Sequence, residues 1–410
     1  MADELRGPDR HTLRIFLHSG FVWQLCWSSY WTLFFLRVVV DVGLDPLQLL
    51  LLGTTKEVTI LLVEIPTGVV ADIRSRRLSV ILSFLICGVA IIGAGLAGGF
   101  ATLVLTQVLW ALGTTFRSGA ETAWFTDEVG SLEIVDAVLP RRARYEAVGS
   151  IVGLTATALV AAAAGLSTAL VTVGVLLIVW GIVLRVRMPE TGFERHEASA
   201  RTRVGQLLGE GFRAARRPGL RVLLVVTVVT GFASEAVDRL SVARLDQIGL
   251  QDTIDPALLI GGASVVQSLG TIVVLFVYGR RLAGPQLVTA MMILNALTAI
   301  GVGLLAQGGL LAIALMGMVA QGTVRSIART ATIGWTNHFT DRSNRATVHS
   351  FVGQAQSLGE ISGGITLGVV AQQAGIGTAL IASAALYVLA AGWTRRGHSR
   401  WTTPAGSPPS

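Results

Sequence analysis

The stretch Ser234-Glu235-Ala-Val-Asp238-Arg239-Leu places three ionisable side chains at i, i+3 and i+4. On a helix these positions share one face, and Glu235 and Arg239 are spaced to pair. They lie within residues 221–243, a run otherwise apolar and long enough to span a bilayer. Ionisable groups at that depth are costly, and they mark ion pairs or pathways for protons and solutes. Other groups share this setting. Glu360 sits about a dozen residues into the run 348–370, beside Gly359, Gly363 and Gly364, with no basic residue within a turn. Arg117 and Glu121 stand at i, i+4 in 102–124, Arg325 and Arg329 occupy the corresponding sites in 309–330, and Lys56, Glu57 and Glu64 lie in 47–71. The chemistry on offer is proton exchange or charge pairing. Either Glu360 or Glu235 loads and releases a proton near neutral pH, or both are structural partners across helices. Arg117–Glu121 is a static pair or a gate, while Lys56 and Glu57 pair or snorkel toward the outer surface.

Enzyme chemistry is poorly supplied. Lys56 is the sole lysine, and LLGTTKEVT around it lacks the G-x-x-x-x-G-K-[ST] phosphate loop. His196-Glu197-Ala-Ser-Ala200 lacks the second His of a zinc-hydrolase helix, and no G-x-S-x-G elbow occurs. No Cys/His cluster has metal-ligand spacing, so neither a metal nor a cofactor is expected. Cys26 and Cys87 both fall inside apolar runs, where they read as small buried hydrophobes. Work must then come from an ion gradient or from the solute's own gradient. One charge crossing 100 mV supplies about 2.3 kcal/mol, enough for a solute gradient of roughly fifty-fold.

The elements that position these residues follow from composition. Apolar residues make up 52% and charged residues 14% of the 410, and mean hydropathy is +0.65; soluble domains carry about 25% charged residues, so this chain cannot clothe itself for water. It reads as an all-α polytopic membrane protein with twelve transmembrane helices, at 15–39, 47–71, 78–98, 102–124, 147–164, 167–184, 221–243, 257–278, 286–305, 309–330, 348–370 and 376–393. The first run is expected to be a retained span, not a cleaved signal peptide. Arg74, Arg76, Arg77, Arg141, Arg142, Arg144, Arg280, Arg281, Arg342 and Arg345 all fall on the N-terminal side, as do nine arginines from Arg185 to Arg221. Acids (Asp41, Asp45, Asp246, Asp252, Asp255) occupy the other side. The positive-inside rule therefore puts both termini in the cytoplasm, with the chain in the cytoplasmic (inner) membrane. The basic charge of +7 sits between spans, not along one face, which argues against nucleic acid as partner.

The expected organisation is a cytoplasmic N-terminus (1–14), a six-helix bundle (15–184), a cytoplasmic linker (185–220), a second six-helix bundle (221–393) and a disordered tail (394–410). In the linker, Val204, Leu207, Leu208, Phe212 and Ala215 have the spacing of an interfacial amphipathic helix. An internal repeat supports the division: R-S-G-A-E-T-A at 117–123 matches R-S-I-A-R-T-A at 325–331 in five of seven positions, 208 residues apart. Paired repeats with a site near the midplane are a recurrent transporter plan.

Gly68-Val-Val-Ala71-Asp72-Ile-Arg74-Ser75-Arg76-Arg77 resembles G-x-L-A-D-R-x-G-R-R/K, the signature between spans two and three of the major facilitator superfamily. Glu64-Ile-Pro-Thr-Gly68 and Ser118-Gly-Ala-Glu121-Thr-Ala-Trp124-Phe-Thr-Asp127 resemble its bacterial drug-exporter-like branches. There are departures: Ser75 replaces the motif's second Gly, Ile73 its first basic residue, and neither R-x-x-Q-G in span four nor G-P-x-x-G-G in span five is present. The resemblance implies two pseudo-symmetric six-helix bundles that rock about a midplane cavity, with Gly68, Asp72, Arg76 and Arg77 as a cytoplasmic latch. On the residues alone, Gly68 would admit a close helix neighbour, and Asp72 could take Arg76 at i+4.

Trp23, Trp27, Tyr30 and Phe34 recur at i, i+4, i+7 and i+11 in span one, with Gln24 beside them. The stripe is either the wall of a cavity for an aromatic or apolar solute, or ordinary helix packing. His18 reads as an interface residue. The expected activity is proton-coupled efflux of small amphipathic compounds by a monomer that has a small-molecule substrate, an ion gradient and the lipid bilayer as partners. Uptake by symport and a non-transporting sensor are the alternatives.

Overall fold

In the lipid interior every backbone amide needs an internal partner, which leaves helices as the economical solution for runs of this length. The computed structural model describes residues 7–193, 218–253, 255–279, 286–338, 340 and 345–401, and these are all-helical. The helices are α1 (Gly7–Val40), α2 (Pro46–Ile73), α3 (Arg76–Leu96), α4 (Phe100–Arg117), α5 (Ala120–Val129), α6 (Leu132–Ala164) and α7 (Leu166–Arg187). After the linker come α8 (Pro218–Gln247), α9 (Pro256–Tyr278), α10 (Leu287–Gln307), α11 (Leu311–His338), α12 (Arg345–Ala374) and α13 (Ile376–Trp401). Nine of these helices are long and apolar enough to cross a membrane. The helices carrying the other three expected spans, α1, α4 and α12, fall short of that standard; Gln24, Gln107 and Glu360 are among the polar residues that interrupt them. The expected amphipathic helix of the linker, with Arg280, Arg281 and Arg342, lies outside the described residues. The tail departs from expectation in its first part, because α13 continues through 394 to Trp401.

The described residues group into two compact units. The first lies within Met1–Leu44, Val58–Ala200 and Ile254–Val265, and the second within Asp45–Glu57, Arg201–Thr253 and Val266–Ser410. A division at the linker alone does not capture this, since the start of α2 goes with the second unit and the start of α9 with the first.

Each unit closes its bundle with the same device. Apolar surface gives helices no reason to associate in lipid, so small residues that let backbones touch do the work. In the first unit Gly149 and Gly153 of α6 pack on the Phe21 and Leu25 carbonyls of α1, where any Cβ would collide. In the second, Gly359 and Gly363 of α12 pack on the Val228 and Phe232 carbonyls of α8 in the same manner. The second unit's core continues through Leu220, Leu223, Val226, Met291, Ile327 and the fully buried Trp335.

Span four is not one helix. α4 ends at Arg117 and α5 starts at Ala120, because Gly119 takes φ +76°, a conformation open to glycine and strained for other residues. In the second copy of the repeat, Ile327 stands where Gly119 stands in the first, and a β-branched residue cannot adopt that φ. There α11 runs unbroken from Leu311 to His338.

Candidate functional site

At the break in the first unit, charge follows the dipoles of the two half-helices. Arg117 occupies the last turn of α4 and Glu121 the first turn of α5, each favourable at its end. They pair at 2.5 Å, and Glu121 also accepts from Arg142 Nη2 at 2.7 Å. Arg142 in turn donates from Nε to Glu146 at 2.8 Å and lies 4.0 Å over the Phe16 ring. The expected pair is thus part of a four-residue chain. Arg142, read from sequence only as a topogenic charge, is a central member of it.

Arg117 also lies 4.3 Å over the Trp23 ring, a cation–π contact that holds it at the wall of a cavity of about 340 Å³. Trp23, Gln24, Trp27, Glu64, Arg117 and Ser118 line that cavity. Tyr30 does not. It is fully buried, its hydroxyl accepts from Gln107 Nε2 at 2.8 Å, and its ring packs 4.4 Å from Trp110. The aromatic stripe therefore divides, with its first turn facing a cavity and its next turn belonging to the core.

The Gly68–Arg77 segment joins α2 to α3 and α5. Arg76 lies 3.7 Å from Asp72, and it also binds Asp127 and the Ala123 carbonyl. Ser75, where the signature has glycine, is the N-cap of α3: its hydroxyl accepts from Leu78 N at 2.8 Å. Glu190 receives the Ser75 hydroxyl proton and, at 2.9 Å, the Arg77 N–H. Gly68 is a correction, because a Cβ there would meet nothing within 4 Å among the described residues, so no close helix neighbour explains it.

In the second unit the triad of α8 separates into two pairs. Glu235 binds Arg239 at 2.8 Å, as the spacing suggested. Asp238 turns instead to α11 and takes Arg325 through both carboxylate oxygens, at 2.6 and 2.7 Å. A bidentate guanidinium–carboxylate pair is the strong form of this contact. Gly53 of α2 makes room for the buried Glu235–Arg239 pair, since a Cβ there would overlap both side chains.

Glu360 accepts from Gln356 Nε2 at 2.8 Å, and one turn away on the same helix Ser357 Oγ donates at 3.0 Å to the buried Glu57, which also pairs with Lys56. Glu57 therefore belongs to the site rather than to an outer snorkelling pair. No local spacing in the sequence announces this, for Ser357 is 300 positions away.

Gln356 also lines a second cavity, of about 280 Å³, lined by α8, α10, α11, α12 and α13. Its wall is polar, with Thr230, Asn295, Thr332 and Tyr387 alongside Arg325 and Arg329. The described residues contain no cluster of His, Cys, Asp or Glu able to hold a metal ion.

No family model matches this chain, and no curated protein matches it in sequence. Solved structures do match in shape. A bacterial homologue of the human lysosomal transporter Spinster, inward-facing and unoccupied, superposes with TM-score 0.74 at 14% identity, covering 98% of this chain and 100% of that one. The nucleoside transporter NupG gives 0.71 at 14% identity over 95% and 98%. A POT family transporter in complex with a thioalcohol-conjugated peptide gives 0.74 at 11% identity over 95% and 96%. The chain thus shares the fold of these solved structures, that of an all-helical polytopic membrane protein.

Proposed function

We propose that this chain is a proton-coupled secondary transporter that exports small amphipathic compounds by alternating access, with twelve spans and both termini in the cytoplasm. The observation that carries the reading is that Glu57 and Glu360 meet one turn of α12, Glu57 through Ser357 and Glu360 through Gln356, and that Gln356 lines a cavity. A solute entering that cavity would compete for Gln356, shift the hydrogen bonding of Glu360, and so favour loss or gain of a proton there. Glu235 is committed to Arg239, which leaves Glu360 the better coupling acid. In this reading Gly68, Asp72, Arg76 and Arg77 form the cytoplasmic latch. The Trp23–Trp27 wall of the first cavity gives apolar and aromatic parts of the solute a surface.

A second reading, uptake of a polar metabolite, is favoured by the threonine-rich lining of the second cavity. A drug-susceptibility panel in a pump-deficient host, with and without a protonophore, separates the two. Export predicts tolerance to some amphipathic compounds that the protonophore abolishes. Greater sensitivity, or no change on any compound, would reject export.

A further inference from the structure

The two copies of the internal repeat carry opposite charges at one position. Glu121 in the first copy is replaced by Arg329 in the second, and Arg117 by the like-charged Arg325. In the first copy, therefore, the arginine is neutralised by the acid one turn away. In the second, Arg325 takes its acid from α8, engaging both oxygens of Asp238, and Arg329 stands in the field of that same acid. Arg329 is exposed and lines the 280 Å³ cavity together with Arg325. Two guanidiniums on the wall thus share one carboxylate, which leaves the cavity net positive and suited to an anion.

A second feature points the same way. Asn295 of α10 lines this cavity, is 2% exposed, and its Nδ2 is a buried donor with no partner. Buried donors are nearly always satisfied, and an orphan one beside a cavity calls for an acceptor inside it. No neighbouring hydroxyl hydrogen-bonds to that donor. Thr230, Thr332 and Thr336 each give their proton to the carbonyl four residues back, at 2.8, 3.0 and 2.9 Å. Their oxygens keep free lone pairs, which face solute donors as acceptors.

We propose that this cavity binds a small monocarboxylate, whose carboxylate pairs with Arg329 while Asn295 Nδ2 donates to an acceptor elsewhere on the solute. With two guanidiniums to one carboxylate, the site has room for one negative charge, and the planar fork of Arg329 matches the two oxygens of a carboxylate. The volume falls just below the range of ligand pockets, about 300–1,000 Å³, which sets a small solute. Only the step from bound solute to transported solute rests on the proposed export or uptake activity.

The test uses detergent-solubilised full-length protein and its thermal unfolding at fixed ionic strength. Acetate, lactate and benzoate are titrated against acetamide, lactamide and benzamide, with inorganic phosphate as a further anion. At least one carboxylate should raise the unfolding temperature saturably, and its amide should not. Arg329→Gln should weaken that carboxylate by about ten- to a hundredfold, with Arg329→Lys restoring part of the affinity. Gly353→Leu fills the cavity from a position where a Cβ meets nothing within 4 Å, and it should abolish the response in a folded protein. No response to any of the three carboxylates, an equal response to their amides or to phosphate, or an unchanged response in Arg329→Gln and Gly353→Leu would overturn the proposal. Carboxylate binding without flux in liposomes would reject transport and leave the site standing; flux without such binding would do the reverse.

Discussion

A proton carried by Glu360 would drive transport only if it can leave. Gln at position 360 keeps a hydrogen-bonding amide but cannot carry that proton. Glu360→Gln should therefore abolish concentrative transport in liposomes with an imposed pH gradient, while solute exchange at equal pH persists. Retained accumulation against a gradient would remove Glu360 from coupling. Glu235 should behave differently, as a structural partner. Glu235→Gln strips buried Arg239 of its 2.8 Å partner, and breaking such a pair costs about 3–5 kcal/mol. Thermal unfolding should show this loss, and adding Arg239→Gln should recover most of it. At this scale the sequence was informative wherever partners are a turn apart. Glu235–Arg239 and Arg117–Glu121 were legible from i, i+4 spacing, and both pairs form. Asp238–Arg325 and Glu57–Ser357 were not, because they join helices whose relative rotation no local spacing encodes.

At the scale of elements, one glycine decides whether a span is broken. Gly119 at φ +76° separates α4 from α5 and gives Arg117 and Glu121 opposite helix ends to stabilise. Gly119→Ala should cost about 1–3 kcal/mol as a strained backbone position. Gly119→Ile, which copies the second repeat, should cost more and weaken the Arg117–Glu121–Arg142 chain. Unfolding midpoints of the two variants check the order, and an Ile variant as stable as wild type would show that the break is dispensable. The repeat itself was readable, and each expected run falls on a helix, but α1 and α6 start well before their runs and α11 and α13 continue well past theirs. The break was hidden because glycine is tolerated in so many membrane helices. With 47 glycines in the chain, the Gly149/Gly153 and Gly359/Gly363 pairs could not be singled out either, although each proves to be where two backbones meet.

For the whole molecule, hydropathy was enough to give an all-helical polytopic chain, and the Gly68–Arg77 motif pointed to the fold that solved structures share. The grouping of Asp45–Glu57 with the second unit was not legible, because it depends on packing across helices rather than on any boundary in composition. If Asp72 and Arg76 serve as a latch, Asp72→Asn and Arg76→Ala should each slow turnover while protein still reaches the membrane; unchanged transport in both would leave them as local ties between α2, α3 and α5. The central claim is alternating access, and thiol labelling tests it most directly. Single cysteines replace Gln24 in the first cavity and Thr230 in the second, in a background where Cys26 and Cys87 are alanine. Each is then challenged with a membrane-impermeant reagent from one face, and separately from the other, in oriented sealed vesicles. Alternating access predicts that each cysteine reacts from both faces, and that a pH gradient shifts the balance between them. Reaction from one face alone, at both positions and under every gradient, would contradict it.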